Sequence, residues 1–77
     1  MKLQILGTGC PKCKKLTENV EQAVRAAGID AQVEKVEDIQ QILKFGVMMT
    51  PALAIDGVVK SVGKVLSPDE VRKLLGA

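Results

Sequence analysis

The sequence predicts an α/β fold of order βαβαββα, a four-stranded mixed sheet flanked by three helices. Three observations carry the order of elements. An alternating segment, Lys2–Leu6, gives way at Gly7-Thr8-Gly9 to apolar residues at helical spacing; an Asp56-Gly57 pair separates two short β-rich runs; and Ser67-Pro68-Asp69-Glu70 announces a last helix. The first implies a strand feeding a helix, the second an antiparallel hairpin, and the third a helix that closes the chain.

Taken in order, Lys2 to Leu6 reads as a strand with Leu3 and Ile5 on one face and Leu6 on the other. From Pro11, whose missing N–H is not needed in a first helical turn, Cys13, Leu16, Val20, Ala23, Val24 and Ala27 recur at steps of three and four. That stripe ends at Gly28, a residue suited to the left-handed position after a helix. A second strand, about Ala31 to Val36, follows after a short turn, so strand, helix and strand make a parallel pair. Glu37-Asp38 opens a short helix at the positive end of its dipole, with Ile39, Ile42 and Leu43 expected to face inward and Gly46 as its stop. Ala52 to Ile55 and Val58 to Val62 are the hairpin strands, since Asp-Gly supplies the positive φ of a tight two-residue turn. In the last helix Ser67 caps, Pro68 takes the first position and Glu70 completes a capping box. Leu66 and Val71 are spaced as a hydrophobic staple, and Val71, Leu74 and Leu75 are expected to pack onto the sheet.

Composition narrows the function. At 77 residues, with no repeat, linker or low-complexity tract, residues 1–77 are expected to form one domain around a modest core. A net charge of +2 and a single aromatic residue, Phe45, provide neither the basic footprint nor the stacking platform of a nucleic-acid binder. No apolar run approaches the length of about 20 residues that a membrane span needs, and Met1 leads straight into an alternating strand, so a cytoplasmic protein is the expectation, with a monomer as the default. With no histidine, tryptophan or tyrosine, histidine bases, histidine metal ligands and serine-histidine triads are excluded. Thiols, amines, carboxylates and hydroxyls remain.

The two cysteines are therefore the chemistry to explain. Cys10 lies where the first strand meets the first helix, and unpaired backbone N–H groups and the helix dipole both favour a thiolate there. A thiol of ordinary pKa near 8.5 is only about 3% ionised at pH 7, so a lowered pKa would make Cys10 a far better nucleophile. Lys12, Lys14 and Lys15 add positive charge around it, Lys12 being the best placed, although exposed lysines are screened by salt. Cys13, one helical step on and part of the apolar stripe, is the more buried sulfur and is positioned to resolve a mixed disulfide formed on Cys10. Thr50-Pro51, immediately before the third strand, is a place where an extended segment approaches the cysteines.

Gly9-Cys10-Pro11-Lys12-Cys13, Met49-Thr50-Pro51, the Asp56-Gly57 hairpin and Gly63 after the fourth strand together resemble the thioredoxin and glutaredoxin superfamily, most closely its small thioredoxin-like proteins, over nearly the whole chain. The resemblance implies a thioredoxin-like fold, a cis Pro51 beside the cysteines, and a substrate-binding set of Thr50, Pro51, Lys12 and Gly63. It also implies a thiol–disulfide oxidoreductase without cofactor or metal, whose partners are a disulfide-containing protein substrate and a reductase or low-molecular-weight thiol donor. The chain departs from the family in having Gly9 where a tryptophan is usual. It has no aspartate in the first strand, where Gln4 is the only polar candidate for burial, so water or another group has to handle the proton of the thiol. The glycine pair and acidic residue that hold glutathione in glutaredoxins are not evident after Val62-Gly63.

Two other readings stay open on the residues alone. A Cys-x-x-Cys pair is half of a zinc site and also suits Cu(I), which makes a metal-binding module or metallochaperone the main alternative. The third is an interaction domain that meets a partner through its sheet edge or through Met48-Met49, although methionines more often fill core gaps.

Overall fold

In the computed structural model the elements follow the expected order: β1 Lys2–Leu6, α1 Pro11–Ala27, β2 Gln32–Val36, α2 Ile39–Lys44, β3 Ala52–Ile55, β4 Val58–Val62 and α3 Pro68–Leu75. The structure describes residues 1–76; Ala77, the last residue of the expected domain, lies outside them. The four strands form one mixed sheet of order β2-β1-β3-β4. β1 runs parallel to β2 and antiparallel to β3, and β3 pairs antiparallel with β4. The α/β, thioredoxin-like class read from the sequence is the class observed.

The alternation within β1 decides which helix covers which face. Leu3 and Ile5 join Leu53 and Ile55 of β3 beneath α1 and α3, where Leu16, Val20, Ala23, Leu66 and Val71 complete the larger cluster. Leu6 points the other way and packs with Val36, Ile42, Val47 and Ala52 under α2. Beyond the reach of that short helix the same face turns polar: Lys2 and Glu34 form an ion pair at 3.1 Å, and Gln4, half-buried, donates to Glu34 at 3.4 Å.

The boundaries have local causes. α1 stops at Gly28, which takes the left-handed conformation (φ 65°) and caps the carbonyls of Val24 and Arg25. The β3–β4 turn has Asp56 at φ 51° and Gly57 at φ 85°, the two positive values a tight hairpin turn demands, and Asp56 also accepts the backbone N–H of Lys2 at 2.8 Å. α3 begins with the complete Ser67–Glu70 capping box. Asn19, a buried polar residue in the middle of α1, donates to the carbonyl of Leu66 at 2.9 Å and so ties the approach to α3 onto α1.

Two packing expectations need correction. Ile39 and Leu43, expected to face inward, are 62% and 59% exposed, and only Ile42 of α2 is buried. The patch beneath α2 is small, made of Leu6, Val36 and Ala52, and Ile42 with Val47 and Phe45 fills it. In α3 it is Leu75, four residues from Val71 on the same stripe, that packs against the core, whereas Leu74 is 40% exposed at the flank facing β4.

Candidate functional site

The register of the sheet assembles the site from segments far apart in sequence. Leu6, the last residue of β1, pairs with Ala52, the first of β3, and Ala52 pairs with Val62, the last of β4. The segments just outside these positions therefore emerge at one end of the sheet: Gly7 to Cys10, Thr50-Pro51, and Gly63.

At that end Cys10 is the N-cap of α1, in extended conformation (φ −68°, ψ 164°), with Pro11 opening the helix and the Cys10 carbonyl accepting the Lys14 N–H at 3.0 Å. Its sulfur takes the place a serine or aspartate oxygen usually has in a cap, accepting the Cys13 N–H at 3.4 Å. Cys13 lies one turn on, and the two Sγ atoms stand 2.8 Å apart as free thiols. Cys10 is partly exposed; Cys13 is buried at 5% exposure.

These surroundings pull the two thiols in opposite directions. The Cys10 pKa is lowered, first because the Cys13 side chain hydrogen-bonds its sulfur, then by the backbone N–H of Cys13 and of Lys12. The Cys13 pKa is raised, first by burial and then by its bond to Cys10. Either sulfur could donate across the 2.8 Å contact; the opposite shifts make Cys13 the favoured donor and Cys10 the favoured acceptor. Lys12 thus acts on Cys10 through its backbone amide; the ammonium groups of Lys12, Lys14 and Lys15, expected to contribute, are not among the causes, and all three side chains are exposed.

Thr50-Pro51 is cis, Pro51 is buried and Thr50 exposed. The Pro51 carbonyl accepts the Gly63 N–H at 2.8 Å, and a Cβ at Gly63 would lie 3.3 Å from Met49 Cε, so Gly63 sits against the Met49–Pro51 segment. Gly7 joins this segment to the thiols: a side chain there would collide with Cys13 Sγ and would stand 3.8 Å from Thr50 Cβ. Read from the sequence, Gly7 is only part of a turn; its role is close approach to the buried sulfur, which no local spacing reveals. Exposed apolar side chains lie around the site: Ile39, Leu43 and Met48 line a hollow with Thr8 and Thr50, and Met49 lies against Gly63. Among the described residues no group of three or more His, Cys, Asp or Glu could hold a metal ion.

With this geometry in place, comparison with known proteins is decisive. The family model described as thioredoxin domain matches residues 1–76. The chain belongs to the thioredoxin family. At family level it is a thiol–disulfide oxidoreductase. It is similar to a thioredoxin of Methanothermobacter thermautotrophicus, with 47% identity over 75 residues covering 97% of both chains. It is also similar to a thioredoxin of Methanocaldococcus jannaschii, with 44% identity over 73 residues covering 95% of this chain and 84% of that one. A probable thioredoxin of M. thermautotrophicus shares 39% identity over 57 residues, 70% of this chain and 67% of its own. Among the described residues of this thioredoxin-family chain, no helix is long and apolar enough to cross a membrane.

Proposed function

We propose that the chain works as a single, monomeric domain that reduces or exchanges protein disulfides through Cys10-Pro11-Lys12-Cys13. The observation that carries this reading is the contrast within the pair: a partly exposed Cys10 with a lowered pKa stands 2.8 Å from a buried Cys13 with a raised one. The first sulfur is the nucleophile and the second is held back as a thiol until needed.

In the cycle, Cys10 attacks one sulfur of a substrate disulfide; the substrate S–S bond breaks and its other sulfur leaves as a thiolate. Cys13 then attacks Cys10 Sγ, forming the internal disulfide and freeing the second substrate sulfur. A disulfide requires the sulfurs at about 2.05 Å, so closing the pair takes only a small side-chain movement. A reductase or a low-molecular-weight thiol donor returns two electrons and two protons to the protein. The same reading has it at work in the cytoplasm, where thiols are kept reduced.

Thr50 and Pro51 are the substrate contacts, with Lys12 and Gly63 at the margins. Thr50 is exposed beside the cysteines, and the apolar rim of Met48, Met49, Ile39 and Leu43 suits a protein segment better than a small charged thiol. The test is trapping. In C13S the resolving sulfur is gone, and a mixed disulfide with a disulfide-containing protein should accumulate on Cys10; C10S should trap none. Equal trapping by both variants would overturn the assigned roles.

A further inference from the structure

Once Cys10 is bonded to substrate, its sulfur can no longer accept the proton of Cys13, yet Cys13 must lose that proton to attack. Cys13 is 5% exposed, so bulk solvent reaches it poorly. Behind it lies a cavity of about 70 Å3, bounded by Gly7, Gly9, Thr17, Lys14, Lys35 and Glu37 among others, with Cys13 in its wall. That is room for a few waters, each needing at least about 10–15 Å3 of such space.

The groups facing this cavity differ in what they accept. The Thr17 hydroxyl is committed to the Cys13 carbonyl, to which it donates at 2.9 Å. Lys14, from α1, and Lys35, from β2, also line it, and an ammonium group donates only. Glu37, directly after β2, is the only carboxylate in the lining, and no hydrogen bond or ion pair engages it among the described residues. A second observation brings it close: at Gly9 (φ 88°) an added Cβ would lie 3.3 Å from Glu37 Oε2, so the carboxylate folds over the glycine that precedes Cys10.

We propose that Glu37 receives the proton of the Cys13 thiol, through water in this cavity, during the step that resolves the mixed disulfide. In that step the Cys13 Sγ–Cys10 Sγ bond forms and the bond from Cys10 Sγ to the substrate sulfur breaks. The substrate leaves as a thiolate with the electron pair, and the proton of Cys13 passes to Glu37. In the reverse direction the carboxylic acid returns it. Glu37 is a positioning residue, acting on Cys13 through water, and this role rests on the exchange cycle proposed above.

The sign of the effect separates this role from a bystander charge. A carboxylate that merely stood near Cys13 would disfavour its thiolate, so removing it would speed the attack. A proton acceptor does the reverse. Stopped-flow mixing with one equivalent of an aromatic disulfide that releases a coloured thiolate resolves the steps, the first release reporting attack by Cys10 and the second attack by Cys13. In E37Q the second release should slow about tenfold near neutral pH relative to the first, below the usual range of general-base effects because water intervenes. The difference should vanish at alkaline pH, where hydroxide takes the proton directly. A second release that is unchanged, faster, or slowed by the same factor at every pH overturns the proposal. No second release from the unsubstituted protein would overturn the exchange cycle itself, and this proposal with it.

Discussion

Cys10 and Cys13 carry the same functional group, and what separates them is a few ångströms of environment. Cys10 is partly exposed and receives the Cys13 S–H and backbone N–H groups, each of which favours its charged form; Cys13 is buried, which disfavours its own. Lowering a thiol pKa extends the nucleophilic form to lower pH, so Cys10 should be alkylated faster than Cys13 near neutrality, its rate falling as pH drops through the lowered pKa. C13A removes the first cause of that lowering but leaves the Cys13 backbone N–H, so the Cys10 titration should move up toward the ordinary thiol value without reaching it. C13S, which retains a hydroxyl donor, should lie between. Alkylation rate against pH, followed by mass analysis, checks this, and an unmoved Cys10 profile in C13A would mean that the Cys13 side chain is not what holds the thiolate. The importance of both cysteines was legible in their spacing and place. The amides at the helix start were legible as well; what the spacing did not show is that the Cys13 thiol comes first among the causes, ahead of those amides, while the adjacent lysine side chains do not appear among them.

Elements were legible where their signals are local. The Asp56-Gly57 turn and the Ser67-Pro68-Asp69-Glu70 start lie where they were read, because a turn or cap is determined by its own few residues. The cap can be weighed: S67A should lower stability by about 1 kcal/mol at neutral pH in urea unfolding, with the dependence on denaturant unchanged. A variant indistinguishable from the unsubstituted protein would show that α3 is held by Val71 and Leu75 alone. Glu70 adds a pH dependence. Its folded pKa is lowered, first by the Ser67 backbone N–H, so its stabilisation is present above the ordinary carboxylate pKa and is lost as pH falls through the lowered one. Because that amide remains in S67A, part of the dependence should persist. Facing was harder to read than boundaries. Ile39, Ile42 and Leu43 share an apolar pattern, but how many of them a six-residue helix buries depends on the area beneath it, which is set by Leu6, Val36 and Ala52 from three other elements.

For the whole molecule, the decisive relation is that β1 and β3 are neighbours at the centre of the sheet. Local patterns imply the parallel β1–β2 pair and the β3–β4 hairpin separately; nothing in their spacing joins the two pairs, and family resemblance supplied that link. The junction makes the site, since Leu6 opposite Ala52 opposite Val62 carries Cys10, Pro51 and Gly63 to one end. Long-range contacts of this kind also explain why Gly7, pressed against Cys13, and Glu37, folded over Gly9, escaped a reading of the chain. All of this converges on one property, a pair of thiols able to close and reopen within one molecule. Equilibrating the metal-free protein in a graded series of thiol and disulfide buffers, quenching with acid, alkylating and weighing Cys10 and Cys13 measures it directly. One internal disulfide forming and breaking reversibly in the monomer, with a single midpoint, is the predicted result. Thiols that stay reduced throughout, or that link only between chains, would contradict it.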